Sequence, residues 1–510
     1  MDKVLEISPL FIRINDADNV AIAVKDIPAG AKVAEGIITN MEIPQAHKVA
    51  LEDINVGESV VRYGMILGFA KESIKCGDWI NEFALELPKP PNIDEMEYGK
   101  NIDTELPKAP RRTFEGFRNP DGGYAGTRNI LGISSTVQCV TGVLNVAVQK
   151  MKEELLPKYP NVDDIVPINH AYGCGVAINA SEANIPIRTL RNLIKNPNFG
   201  GQIMVVGLGC EKLTVDMLLE ETDINPNNVI ILQEQEGFDA MIKALMKMAD
   251  MKLQILNERI REPLPLSDLC IGLQCGGSDA FSGVTANPSA GYASDMLVEA
   301  GATVMFSEVT EVRDGVHYIA ERCINKEVCD KLSKEMKWYD NYLSESEVDR
   351  SANPTPGNKK GGLCNIVEKA MGSITKSGTS PIVEVLSPAE RPTKHGMIYA
   401  ATPASDIVCG PCQLASGIAL QVFMTGRGTP YGLAAAPVIK VCSRSEMKQM
   451  WGDLIDVNAG LIATGDASIK EIGTELFDYI LDVASGKMRT AAEKYKLYND
   501  VCIFNPAPIT

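Results

Sequence analysis

Across residues 1–85 the apolar positions come in short bursts broken by glycine. Three stretches share one outline: "DIPAGAKV" (26–33), "DINVGESV" (53–60) and "SIKCGDWI" (73–80). In each, a glycine separates two apolar-flanked segments, as a turn between short strands requires. This pattern predicts a small β-domain whose glycines serve only the turns. Residues 86–113, "ELPKPPNIDEMEYGKNIDTELPKAPRRT", are rich in proline and charge and carry almost no apolar periodicity, so they predict an extended linker. From Phe114 the texture changes. Apolar runs at 129–136, 164–169, 202–209 and 228–233 alternate with helical stretches, and residues 239–261 repeat apolar positions at helix spacing. A second alternating segment begins near Leu269, with strands expected at "LCIGLQ", "ATVMFSE", "PIVEVL", "GMIYAAT" and "APVIKVC". Alternation of this kind predicts an α/β architecture with a mainly parallel sheet. The polar stretch 344–362 reads as a long loop, and loops of that length inside enzymes are often functional.

Composition narrows the class. A chain of 510 residues, 45% hydrophobic and 23% charged, is ordinary globular material with enough length for two to four domains. Its apolar runs are short and no hydrophobic segment follows Met1, so neither a signal peptide nor a membrane span is expected. The thirteen cysteines show no disulfide-framework spacing, which predicts free thiols in a reducing cytoplasm. With 49 basic against 66 acidic residues the net charge is −17, which opposes nucleic-acid binding. A small anionic substrate would need a local cluster of Lys and Arg.

Several motifs carry candidate chemistry. "VVGLGCEK" (205–212) starts like a dinucleotide turn but has Lys212 where the third glycine belongs. "CGPC" (409–412) has redox spacing, yet it sits deep in a large unit rather than opening a helix early in a small domain. Four segments are alike: "NHAYGCG" (169–175), "GLGCEK" (207–212), "LQCGGSD" (273–279) and "DIVCG" (406–410). Each sets a cysteine beside glycine after a strand-like run, where open α/β sheets place ligands. Singly, such a cysteine is a small buried hydrophobe. Together with His170, they make Cys174, Cys210, Cys275 and Cys409 candidate metal ligands, a donor set suited to Fe(II) or Zn(II) rather than Mg(II). "PQAHKVAL" (44–51) pairs His47 with Lys48 in a chain that has four histidines. "GTRN", "GNKKGG" and "GRGTPYG" each place a cation beside glycine, where a carboxylate can reach both cation and backbone N–H.

"GFRNPDGGYAGTRN", "NHAYGCGVAINA", "GLGCEKL", "QCGGSDAFSGVTANP", "FSEVTEVRD", "RSANPTPGNKKGGL" and "ATPASDIVCG", in this order, resemble the altronate/galactarate dehydratase family. The likeness runs from "DADNVAIAVKDIPAG" to the ending "IFNPAPIT", essentially the whole chain. It implies an N-terminal β-clip (SAF-type) domain at 1–85 and the linker at 86–113. It further implies a middle α/β domain at 114–262 that forms a homodimer, and a C-terminal Rossmann-like α/β domain at 263–510 with a metal site. In the resembling motif Cys409 has a counterpart and Cys412 does not, which weakens the redox reading of "CGPC". The implied activity is an iron(II)-dependent hydro-lyase acting on a sugar acid under reducing conditions. Galactarate is the expected substrate and altronate the alternative.

Dehydration removes a proton next to a carboxylate and expels hydroxide from the neighbouring carbon. That proton is weakly acidic, so a divalent cation is expected to hold the enolate charge. On this reading Cys275 lies at the metal, and His47 and Lys48 supply acid–base chemistry together with Ser278 and Asp279. Arg62, Arg128, Asn129, Lys359, Lys360 and Arg427 bind the carboxylates. Two alternatives stay open: an iron–sulfur cluster on three cysteines with one open iron corner, and a non-catalytic ligand-binding or redox protein.

Overall fold

The computed structural model describes residues 6–7, 10–220, 222 and 224–509. In the N-terminal region an antiparallel sheet pairs Glu6–Ile7, Phe11–Arg13, Val20–Ala23, Lys48–Ala50 and Trp79–Ile80 in that order. A second sheet joins Ser59–Arg62, Met65–Ala70 and Leu85–Glu86. The three repeated glycines, Gly30, Gly57 and Gly77, take φ values of 77°, 80° and 89°, as the turn pattern requires. This is a β-clip, SAF-type domain.

Two α/β units follow, each built on a parallel sheet. In the first, the strands Ile130–Ser135, Asp164–Ile168, Ile203–Gly207 and Val229–Ile231 pair with Ile130–Ser135 between the second and third. The helix predicted at 239–261 runs from Phe238 to Asn257 and packs its apolar stripe on this sheet. The second unit carries seven parallel strands, ordered in space Ile382–Leu386, Gly396–Ala400, Thr303–Ser307, Cys270–Cys275, Leu420–Thr425, Val438–Cys442 and Val457–Asn458. The chain lays down Cys270–Cys275 first, builds away to one side, then returns to the other. The reversal therefore sits beside Cys275.

Two expectations need correction. Leu420–Thr425 is a fully buried strand beside the central one, yet it was not among the expected strands. Its short run, interrupted by Gln421, follows closely on the small-residue helix Asp406–Ser416, so periodicity alone does not separate them. Along the extended segment 86–113, Arg350 and Arg313 donate to the carbonyls of Pro88 and Pro91, and Ala109 N–H donates to Glu299. Its proline-fixed backbone is strapped to the C-terminal unit. Finally, 344–362 is not one loop but contains a turn at Arg350–Ala352 and a short helix, Pro356–Lys360, closed by a Thr355/Asn358 capping box.

The β-domain sits on the C-terminal unit. Ile12, Ile14, Ile22, Ala46 and Tyr63 share an apolar cluster with Ala280, Phe281, Val284, Leu363 and Met371. Among the described residues no helix is long and apolar enough to cross a membrane.

Candidate functional site

Cys275 ends the central strand of the large sheet and is buried. The neighbouring strand runs into Glu308, whose φ of 80° lies where non-glycine residues are strained by about 1–3 kcal/mol. That bend turns the chain at once into Val309–Glu311, so Glu311 comes back over the strand end. Cys275 Sγ donates to Glu311 Oε2 at 3.3 Å. One ligand atom each from Cys275, Glu308 and Glu311 lie within 4.8 Å of one another, all buried. Helix Ile366–Ile374 and the turn after it supply two cations. Lys369 meets Glu311 at 2.8 Å. Lys376 Nζ lies 3.3 Å from both Glu308 and Cys275 Sγ, and donates to Ser373 Oγ at 2.7 Å.

Burial sets the protonation of this cluster. It pushes the Cys275 thiol up to about 12 although Lys376 opposes it. It also raises Glu308, helped by the charge on Glu311. For Glu311 burial works upward too, but Lys369 and Lys376 outweigh it and hold the group below the ordinary carboxylate range. Burial alone would lower Lys376, yet Cys275 and Glu308 keep it charged. Asp406 opens the helix behind the site and is pushed up to about 6 by burial and by Glu311. Its Oδ1 accepts from the Gln274 amide at 3.0 Å.

The donor set fits a divalent ion: one thiolate and two carboxylates suit Fe(II) or Zn(II) in number and softness. With all three ionised, the two ammonium groups leave one net negative charge, which a dication would invert. Beside the cluster lies a cavity of about 10 Å³, bordered by Tyr63, Cys275, Ser278, Asn287, Lys369 and Ser373. It has room for about one water. Ser278 Oγ and Asn287 Oδ1 are buried there without hydrogen-bond partners. Unpaired buried polar atoms cost about 1–3 kcal/mol each, so they mark a place where a hydroxyl-bearing ligand would be welcome.

The remaining sequence candidates divide. Asp279 is close by but committed: its Oδ1 accepts from Ser282 N–H, Ser282 Oγ and Ser443 Oγ, each at 2.9 Å, and Arg444 pairs with Oδ2. His47 and Lys48 do reach the C-terminal unit, but as clamps. His47 Nδ1 accepts from Trp79 Nε1 at 3.1 Å, its Nε2 faces the Lys360 carbonyl at 3.4 Å, and burial lowers its pKa. Lys48 donates to Gly362 O at 2.6 Å and pairs with Glu368 at 2.8 Å. Arg62 is likewise spent on Glu368 and on the Ala280 carbonyl. Lys359 and Arg427 are half-buried beside the site, whereas Lys360 is exposed. Arg427 N–H donates to Gly277 O.

Arg128 and Asn129 are corrections. They precede strand Ile130–Ser135, at the opposite end from the strand termini that hold the site. Arg128 pairs with Glu493 at 2.6 Å, and Asn129 donates to the carbonyls of Asn161 and Leu256. His170, Cys174 and Cys210 belong to the smaller sheet, away from Cys275. The Nε2–H of His170 donates to Ser135 O at 2.8 Å and its Nδ1 accepts from Tyr172 N–H, so neither nitrogen is left for a metal. Cys409 is buried inside a helix, its thiol raised by burial and by Glu308, but it is not one of the three clustered donors. Cys412 is buried in the same helix, so neither sulfur offers the accessible thiol that a redox dithiol needs. Sequence reasoning missed Glu308, Glu311, Lys369, Lys376 and Asp406. The available signal was charge inside otherwise apolar, strand-end or helical runs.

Models of the altronate/galactarate dehydratase SAF domain, of the D-galactarate dehydratase/altronate hydrolase second domain and of the D-galactarate/altronate dehydratase C-terminal domain match residues 9–88, 116–257 and 266–509. The chain is 54% identical to the galactarate dehydratase (L-threo-forming) of Escherichia coli K12, covering 98% of this chain and 97% of that protein. It is 34% identical to the altronate dehydratase of Bacillus subtilis 168, over 94% and 95% of the two chains. It is also 29% identical to the (2R)-sulfolactate sulfo-lyase subunit beta of Chromohalobacter salexigens, over 74% and 94%.

Proposed function

Because this chain belongs to the altronate/galactarate dehydratase family, we propose that its buried thiol, carboxylate and lysine cluster removes water from galactarate, giving 5-dehydro-4-deoxy-D-glucarate. The enzyme is a hydro-lyase. The observation that supports the substrate is identity of 54% along nearly the whole length of a galactarate dehydratase, against 34% to an altronate dehydratase.

Cys275, Glu308 and Glu311 would hold iron(II), which supplies Lewis acidity for the charge that builds on the substrate carboxylate. The chain's own groups do the rest. Arg427 and Lys359, half-buried at the site's edge, are suited to gripping the two carboxylates. Ser278 Oγ and Asn287 Oδ1 take substrate hydroxyls. Asp406, ionised above pH of about 6, is the base for the proton next to the carboxylate. The Lys376 ammonium gives a proton to the departing hydroxide, which leaves as water. The enol then takes a proton on carbon, gives up its hydroxyl proton and becomes the 2-oxo acid.

The thirteen free cysteines support a reducing cytoplasm as its compartment. A homodimer through the middle domain is supported by apolar side chains exposed on two packed helices, Val146 on one and Phe238, Met251 and Ile255 on the other. Sedimentation at micromolar concentration tests it. For the reaction, protein incubated anaerobically with iron(II) is offered galactarate and altronate, and 2-oxo acid is measured. Turnover of altronate at the rate of galactarate, or activity that survives full chelation, overturns the reading.

A further inference from the structure

The middle sheet offers sulfur at its own strand ends. Its adjacent parallel strands Asp164–Ile168, Ile130–Ser135 and Ile203–Gly207 run on into loops carrying Cys174, Cys139 and Cys210. All three cysteines are exposed, whereas eight of the others are buried in the C-terminal unit. The loops are knitted together. The Gly173 carbonyl accepts from the N–H groups of Lys212 and Leu213. A Cβ on Gly173 would stand 2.0 Å from Thr136 O and 3.2 Å from Val137 Cα, so only glycine permits the approach. Thr136 Oγ1 in turn donates to Glu211.

We infer that Cys139, Cys174 and Cys210 bind a [4Fe–4S] cluster whose fourth iron is left to an oxygen ligand. Several observations select this over one ion. Tetrahedral thiolates on a single ion stand less than about 4 Å apart, given metal–sulfur bonds of about 2.3 Å. These three sulfurs are not all within 4.8 Å of one another, whereas a four-iron cube spaces its thiolates more widely. Cys139 lies in the turn Gln138–Val140 that leads into helix Thr141–Lys150, whose N-terminal end favours an anionic cluster. The nearest candidates for a fourth protein ligand are occupied. His170 uses both ring nitrogens, and Glu211 accepts from Thr136 Oγ1 and from the N–H groups of Leu208 and Gly209. Tyr172 OH, two residues before Cys174, is buried without a partner.

Loading is ligand exchange. Three Cys S–H groups pass their protons to three small thiolates that leave as thiols, and water displaces the fourth thiolate, so three iron–sulfur bonds and one iron–oxygen bond replace the four broken with no change of oxidation state. This inference does not rest on the proposed dehydration, and its test is spectroscopic.

The full-length protein is incubated anaerobically with a synthetic four-iron cluster carried on small thiolates, then desalted. Expected are a visible charge-transfer band and about four iron and about four acid-labile sulfide per chain. Cys139→Ser, Cys174→Ser and Cys210→Ser should each lose most of that sulfide while unfolding at the wild-type temperature when unloaded. Cys76→Ser and Glu311→Gln should keep it, the second showing that the C-terminal site is not being read. No retained sulfide in the wild type, or full loading of a Cys139→Ser/Cys174→Ser/Cys210→Ser variant, overturns the inference.

Discussion

Among single residues, Asp406 makes the sharpest claim. Its carboxyl is raised to about 6, so the folded protein holds the proton more tightly than the unfolded chain does. Its favourable contribution is complete below its ordinary value of 3.8 and is lost as pH rises through about 6. Asp406→Asn removes a half-buried charge and is therefore expected to raise Tm at pH 7.5. That gain should fade on acidification and vanish by pH of about 4, which thermal scans across pH will show. The same variant should lose about 10²–10⁴-fold in kcat and with it the acidic limb of the rate profile. Cys275→Ser exchanges a soft donor for a hydroxyl and should weaken iron(II) binding by at least about tenfold, read as iron retained after desalting. Of this site, the stretch around Cys275 and Ser278 was legible in the sequence because glycine bends after an apolar run mark strand ends. Glu308 and Lys376 were not. They come from separate segments, and only the parallel pairing of Cys270–Cys275 with Thr303–Ser307 brings the first beside the thiol.

For the elements, what reads from sequence is periodicity, and what does not is order in space. Short apolar runs located most strands of both parallel sheets, and the turn glycines located the β-domain hairpins. The order that places Leu420–Thr425 against Cys270–Cys275 follows from long-range pairing across 140-odd residues, for which no local signal exists. The same limit explains why His170, Cys174 and Cys275 looked equivalent: each follows a strand, but the strands belong to two different sheets. Loop knitting in the smaller sheet is testable by itself. Gly173 combines a φ of 116° with the tight approach to Thr136 O. Gly173→Ala must shift the loop, and is expected to cost about 1–3 kcal/mol in urea unfolding and to raise solvent exchange at the Lys212 and Leu213 amides. An alanine variant as stable as wild type would mean the three loops are not held together at this glycine.

For the whole molecule, the issue is how a substrate reaches a cavity that admits about one water. The β-domain closes it through one buried hub. Glu368 pairs with Lys48 at 2.8 Å and with Arg62, both from that domain, and accepts the Cys364 N–H at 2.7 Å. Burial would raise this carboxyl, but Lys48 and Arg62 outweigh it and hold it below its ordinary value of 4.5. With a depressed folded value, its stabilising contribution is present above 4.5 and is lost as pH falls through the folded pKa, so acidification below pH 4.5 should loosen the domain before the α/β units unfold. Glu368→Gln leaves two buried cations facing a neutral amide and should destabilise by about 3–5 kcal/mol, seen as an earlier first transition in urea. Replacing the triad as Lys48→Met/Arg62→Met/Glu368→Met removes the uncompensated charge and should recover much of that loss, since apolar packing often replaces a buried ion network at little cost. If the charges serve only to glue the domain, this triple variant should also recover activity. If Glu368→Gln and the triple variant share a raised KM while stability is restored only in the second, the network instead governs the opening through which the sugar acid enters.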